Sequence, residues 1–526
     1  MALTDQQEML QKIIDMGSRL STEPDIETLL ELILELSQNL IQADGGTLYR
    51  LTPENTLRFT MVRNHSLKIA MGGKHNPAID TSKMMDLPLT VDGQPNHKAV
   101  AAYAANTKET VVIDDAYTAE GFDFSGAKRF DEMMGYRTQS VLAIPLIDHE
   151  GKILGVLQFI NALNEKKETI TFSAFFQDIA KSLASQAAIS LRNRLLINQL
   201  NELFEALINL INTAIDEKSP YTGGHCMRVP ELTLMLAEAT HQEEDGPMAT
   251  FKLTDKDRYE LKIASMLHDC GKITTPVHVV DKGKKLETIF DKIGLIETRF
   301  ELLLRDSTIR YYEDLQADGS KRDALKQDYE AEQKQLRDDI AFLKKCNVGG
   351  ERMKEEDIAR IRSIASRQWV DHEGQTQPAL SEDEVYNLSI VAGTLTQEER
   401  EIINYHIVAT IKLLNQIPWP EHLKNVVEYA GGHHEKMDGT GYPNKLKRED
   451  MSIQARCMGI ADIFEALTAS DRPYKKGMPL SQCLKIMGRM KEEAHIDPDL
   501  YDVFIKHKIY MDYAKRFLGP EQIDIT

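Results

Sequence analysis

From Phe172 to Glu217 the chain runs without a proline or a glycine, and its pattern is helical throughout. Within that stretch Leu196, Leu200, Leu203, Leu207 and Leu210 follow alternating steps of four and three residues. A seven-residue apolar repeat presents one narrow seam to another helix. Two readings follow: a connector coiled coil between two copies of the chain over 171–218, or a helix packed on its own domain. Either way the stretch separates two regions whose hydrophobic periods differ, so it constrains everything on both sides.

Upstream, residues 1–23 read as a helix with apolar Met9, Ile13, Ile14 and Leu20, and "IETLLELILELSQNL" from Ile26 to Leu40 is a second, amphipathic one. The period then changes. "GGTLYRLT", "LRFTMVRN", "ETVVID", "SVLAIPLID" and "GKILGVLQFIN" are short strand candidates set apart by turn residues. Residues 24–170 therefore predict an α+β domain, an antiparallel sheet flanked by helices. Downstream, 219–526 reads as an all-α bundle. It is interrupted over 287–393 by a stretch dense in charge, with Leu325, Tyr329, Leu336, Ile340 and Leu343 at helical spacing. That segment reads as a helical hairpin or arm. At 526 residues a multidomain chain is expected.

A net charge of −19 argues against general attachment to nucleic acid or anionic lipid, though cations at one site can reverse the field locally. Five scattered cysteines without CxxC spacing exclude a common zinc module and fit a reducing compartment. No secretory signal pattern opens the chain and no run approaches the roughly 20 apolar residues a membrane span needs. A cytoplasmic protein is expected.

The chemistry concentrates in the last region. His225 follows Gly223-Gly224; His268-Asp269 end the apolar helix "LKIASMLHD"; His406 sits in "EIINYHIVATIKLL"; His433-His434 open "HHEKMDGTGYP"; Asp462 lies within "ARCMGIADIFEALTA". Singly, each has an ordinary structural explanation. Together they resist one. The helix around Asp462 is apolar or small on nearly every face, and burying an uncompensated carboxylate costs several kcal/mol or forces its protonation. Arg456 is six residues away, off the Asp462 face. A dinuclear metal centre would satisfy five imidazoles and two carboxylates at once, and that donor set suits iron, manganese or zinc. One Asp of a His-Asp pair can bridge two ions, and Lys272, a turn beyond His268, can meet phosphate charge. Metal-assisted hydrolysis of a phosphate ester is the chemistry indicated.

The motifs "LHDCGKI", "HHEKMDGTGYP", "ADIFEALTASDRPYK" and "IDPDLYDVF" resemble, in wording and order, the HD-GYP branch of the HD phosphohydrolase superfamily, over roughly 205–286 and 394–515. The resemblance implies a helical bundle that hydrolyses cyclic di-GMP to linear pGpG or GMP with iron or manganese. Carried over by position, the ligands would be His225, His268, Asp269, His406, His433, His434 and Asp462, with Asp269 bridging and Lys272 at the scissile phosphate. Tyr442, Arg472 and Lys475 would line the nucleotide pocket. Where trinuclear members carry a glutamate, this chain has Tyr221, which implies two ions. Cys270 replaces a usually aliphatic residue and reads as a packed thiol.

Residues 129–164, "RFDEMMGYRTQSVLAIPLIDHEGKILGVLQFINALN", resemble a GAF domain of the cyclic-nucleotide phosphodiesterase kind. Its ligand signature is not reproduced, since Phe130, Asp131 and Glu132 are contiguous. A small-molecule or cyclic-nucleotide sensor and a purely dimerising domain both remain open. The expected whole is a homodimeric signalling phosphodiesterase. Its rivals are an HD-type hydrolase of another cyclic dinucleotide or nucleotide, and a non-catalytic cyclic di-GMP-binding protein.

Overall fold

The computed structural model describes residues 3–82, 84–218, 224–349, 352–470 and 477–525, and the chain divides into two units, Met1–Phe204 and Glu205–Thr526.

The first unit opens with helices α1 (Leu3–Thr22) and α2 (Ile26–Leu40). Asp25 caps α2 by accepting the Thr28 N–H at 2.9 Å, which is why the helix begins where it does. Strands β1 (Ala43–Leu51), β2 (Thr56–Asn64) and β3 (Ile69–Gly72) follow, then the two-residue strands β4 (Leu87–Pro88), β5 (Thr90–Val91) and β6 (Gln94–Pro95). Helix α3 (Val100–Thr107), β7 (Val111–Ile113), α4 (Ser125–Met134), β8 (Val141–Ile147), β9 (Ile153–Leu163) and β10 (Thr169–Ile170) complete it. The antiparallel sheet runs β3-β2-β1-β9-β8-β7, with β4 beside β2 and β10 beside β9. All five strand candidates became strands, and the expected α+β class is the one found.

The strands alternate between two cores, as a period of two requires. Leu48, Leu142, Ile144, Leu157 and Phe159 pack with α2 residues Leu30, Ile33 and Leu34, whereas Tyr49, Val141, Ala143 and Val156 pack with α3. Gly155 lies opposite Arg50, and a Cβ there would be 2.1 Å from the neighbouring Tyr49 carbonyl oxygen, so no larger residue fits that register. Asp131, from the contiguous Phe-Asp-Glu, is buried and accepts bonds from the Thr138 N–H and hydroxyl and the Tyr117 hydroxyl. It ties the turn after α4.

Helix α5 (Ala174–Lys218) is continuous. Its seam leucines, Leu196, Leu200, Leu203, Leu207 and Leu210, are each 41–65% exposed, while Ile208 and Ile215 face inward.

In the second unit, α6 (His225–His241) packs on α7 (Asp255–Leu267), and a 3-10 turn over Cys270–Thr274 leads to the short α8 (Val277–Val280). The charged segment is more than the expected hairpin. Helices α9 (Ile293–Ala317) and α10 (Arg322–Asn347) pair, and α11 (Glu355–Ala365), the β11–β12 ladder (Gln368–Val370, Thr376–Pro378) and α12 (Glu382–Leu388) close a separate core on them. Leu286, Ile296, Phe300, Leu336, Leu343, Ile361, Ala379 and Leu388 fill it. The helical bundle resumes with α13 (Gln397–Leu414), α14 (Val426–Gly431), α15 (Ile453–Thr468), α16 (Leu480–Glu492), α17 (Pro498–Lys506) and α18 (Ile509–Phe517). No helix of the described residues is long and apolar enough to cross a membrane.

Candidate metal centre

Seven side chains from five places in the sequence meet in the second unit. Helix α7 is held at its start by a capping box between Thr254 and Asp257, and it ends at His268, the residue before Asp269. The turn that follows can lie against α13 only because residue 271 is glycine: a Cβ there would be 2.0 Å from the His406 carbonyl oxygen. Thr410 fastens the contact, accepting the Gly271 N–H at 2.9 Å and donating its hydroxyl to the His268 carbonyl at 3.2 Å. This brings His406, one turn earlier on α13, up to Asp269. Gly459 does similar work on α15, where a Cβ would sit 3.1 Å from the His433 carbonyl oxygen.

Asp269 stands in the middle. Its Oδ2 is 3.1 Å from His225 Nε2 and 3.3 Å from His268 Nε2, while its Oδ1 is 3.4 Å from His406 Nε2. Asp462 Oδ1 lies 3.3 Å from His225 Nε2 and 3.8 Å from His268 Nε2, and His434 Nε2 lies 3.1 Å from His406 Nε2. Two triads, His225–His268–Asp462 and His406–His433–His434, each have donor atoms within 4.8 Å of one another, and a third group, His268–Asp269–His433, links them. Lys272 Nζ pairs with Asp269 Oδ2.

The imidazoles are oriented from behind. His268, His406 and His433 each donate Nδ1–H to the carbonyl three residues back, those of Ser265, Ile403 and Ala430. A carbonyl can only accept, so Nδ1 carries a proton and Nε2 is the nitrogen that faces the cluster. His433 Nε2 is buried and has no hydrogen-bond partner. Leaving such an acceptor unsatisfied costs about 1–3 kcal/mol, and a cation is what would satisfy it. The residues present fit bound metal.

Electrostatics divide the cluster. Burial works against a charged His225, but the carboxylates of Asp269, Asp462 and Glu465 hold it well above its ordinary value. His268, likewise buried, is raised to about 9 by Asp269 and Asp462. Burial opposes ionisation of Asp269 as well, yet Lys272 and His268 keep it well below the usual carboxylate range. Asp462 is also depressed, since His225 and His268 outweigh its desolvation. His406 and His433 are lowered chiefly by burial, and His434 falls to about 4.

The loop after His434 forms the wall. Gly441 sits on the Glu435–Lys436 backbone, where a Cβ would be 2.3 Å from the Lys436 nitrogen. The buried Glu435 carboxylate accepts the Asn444 and Leu446 N–H groups at 2.7 and 3.0 Å. Tyr442, before a cis peptide bond to Pro443, donates its N–H to the His434 carbonyl and stacks on the His434 ring at 4.9 Å and 19°. Arg472, Lys475 and Tyr221 lie outside the described residues. Arg456 is engaged by Asp497, so it does not serve Asp462.

Sequence reasoning missed Glu465. It is 1% exposed, accepts Nδ1–H of His225, and takes Nε and Nη2 of Arg228 at 2.8 and 2.6 Å. The available signal was a second acid one turn after Asp462 on a helix with no polar face.

A family model of the GAF domain matches residues 25–191, and one of the HD domain matches residues 382–500. The chain contains a GAF domain followed by an HD domain. The HD match contains His406, His433, His434 and Asp462, whereas His225, His268 and Asp269 precede it and reach the centre through the fold. Among curated relatives, a 3'3'-cGAMP-specific phosphodiesterase of Vibrio cholerae is 37% identical over 111 residues, 21% of this chain and 23% of that protein. A cyclic di-GMP phosphodiesterase of Pseudomonas aeruginosa is 41% identical over 81 residues, 15% and 19% of the two lengths. One from Thermotoga maritima is 33% identical over 114 residues, 22% of this chain and 30% of the relative. The chain thus spans between 19% and 30% of the length of these relatives.

Proposed function

We propose that this GAF–HD chain is a metal-dependent phosphodiesterase of the HD-GYP type that hydrolyses cyclic di-GMP to linear pGpG, GMP or both. One observation carries the reading: Asp269 turns one oxygen to His225 and His268 and the other to His406, the posture of a carboxylate shared by two cations. The names of the relatives support a cyclic dinucleotide as substrate.

His225, His268 and Asp462 would hold one ion, His406, His433 and His434 the other, and Asp269 both; iron and manganese suit these donors. When bound, such a pair supplies Lewis acidity to a phosphoryl group and to attacking water. The chain's own groups do the rest. Lys272 brings a positive charge, which burial disfavours but Asp269 and Asp462 sustain, to where phosphate charge grows. Tyr442, held by its stack on His434, would form an aromatic wall for a base; the nucleotide-binding role of Arg472 and Lys475 is carried by the family resemblance alone.

The GAF domain would regulate through α5, whose Lys218 Nζ bonds the carbonyls of Lys272 and Ile273 in the turn beside the centre. The exposed leucine seam supports a homodimer, and five buried cysteines that form no disulfide suit a reducing cytoplasm. Hydrolysis of 3'3'-cGAMP is the second reading, favoured by the Vibrio cholerae relative.

Anaerobic purification, metal analysis and a panel of cyclic dinucleotides test the proposal, with Asp269→Ala as control. Turnover of cyclic di-GMP lost together with metal supports it; preference for 3'3'-cGAMP selects the second reading; unchanged turnover in the control overturns both.

A further inference from the structure

The two halves of the centre are unlike in charge. His406, His433 and His434 offer neutral imidazoles alone, whereas the other half includes Asp462. They also differ in what stands behind them. His268, His406 and His433 each find a carbonyl three residues back on their own chain. His225 is the first residue of α6, so no helical turn precedes it. A helix N-terminus presents N–H donors, so the acceptor for Nδ1 must come from elsewhere.

Glu465 supplies it from α15, one turn after Asp462. Its other oxygen is fastened by Arg228, which sits one turn after His225 on α6, so the carboxylate is fixed from both sides. A carboxylate accepts an imidazole N–H more strongly than a neutral carbonyl does and makes the opposite nitrogen a better donor. The His225 half therefore adds to the shared Asp269 a second carboxylate, Asp462, and a carboxylate-backed imidazole, whereas the other half adds only imidazoles.

We propose that Glu465 is a positioning residue that acts through His225 and makes the His225–His268–Asp462 half the tighter of two cation positions. This rests on the metal-centre reading above.

Equilibrium dialysis of the full chain against Mn²⁺, with elemental analysis of the bound metal, tests it. Wild type is expected to take two equivalents of unequal affinity. Glu465→Gln keeps the side-chain volume and withdraws the charge; it should weaken one equivalent about 10- to 100-fold and leave the other. In a His225→Ala background the same substitution should have no further effect. Unchanged affinity, equal weakening of both equivalents, or a full effect without His225 overturns the proposal. If Glu465→Gln does not fold, nitrogen-15 histidine NMR of the metal-loaded wild type decides: His225 protonated at Nδ1 supports it, and protonation at Nε2 refutes it. A wild type that binds no Mn²⁺ removes the metal-centre reading itself and this inference with it.

Discussion

The insertion and the metal centre both bury charge, and they resolve it in opposite ways. In the insertion, Asp339, with a side chain 3% exposed, is met by Arg360 at 3.2 Å and Arg367 at 2.9 Å. Glu384 is met by Arg299 across two bonds. Each carboxylate there has its cation within the fold. In the centre, five imidazoles and two carboxylates converge, and the buried His433 Nε2 is left without a partner. Charge closed on itself holds a fold together; lone pairs left open toward one point await something from outside.

The largest effect that could break this contrast is Asp269→Ala, expected to remove bound metal and take turnover to background while the insertion stays folded. Metal content and activity, with circular dichroism as control, measure it. Asp339→Ala is the converse. It removes the buried partner of two partly exposed arginines and should cost about 1–3 kcal/mol in a denaturant melt, with bound metal per folded chain unchanged. A loss of metal there would mean that the two regions are not separable.

Acid sharpens the comparison. His434 has a folded value near 4 against 6.5 unfolded, so the unfolded chain takes the proton first. Metal-free protein should therefore lose stability as pH falls from 6.5 toward 4, on the order of 3 kcal/mol at most. His268 acts in the other direction: its folded value near 9 gives stability present below 6.5 and lost as pH rises toward 9. Thermal midpoints of chelator-treated protein should peak near pH 6.5, and metal should flatten the curve. Glu384, depressed because Arg299 outweighs its burial, contributes stability above 4.5 that is lost only as pH falls through its lower folded value. The insertion should thus not share the fall that begins at 6.5.

The smallest effect concerns the loop. Glu435→Gln keeps one acceptor for two N–H groups, so Tyr442 should be held less firmly over His434. A rise in KM of about tenfold with metal content intact is expected, corresponding to about 1.4 kcal/mol.

The amino-acid order alone was enough for the two structural classes, the strands and the seven ligand candidates, because period-two alternation and clustered His-Asp types are local signals. His433 and His434 are adjacent, and Asp269 follows His268, so half of the centre could be read within single motifs. What only the tertiary structure decided is how the pieces meet. Glu465 was invisible because its role depends on His225, 240 positions away. The insertion's own core likewise joins Leu286 to Leu388 across a hundred residues that read as a charged arm. Sidedness of Asp269, the backing of each imidazole and the pairing of Asp339 are all set by packing between helices. Spacing along a chain reports the face of one helix, and only the docking of helices determines which faces share a site.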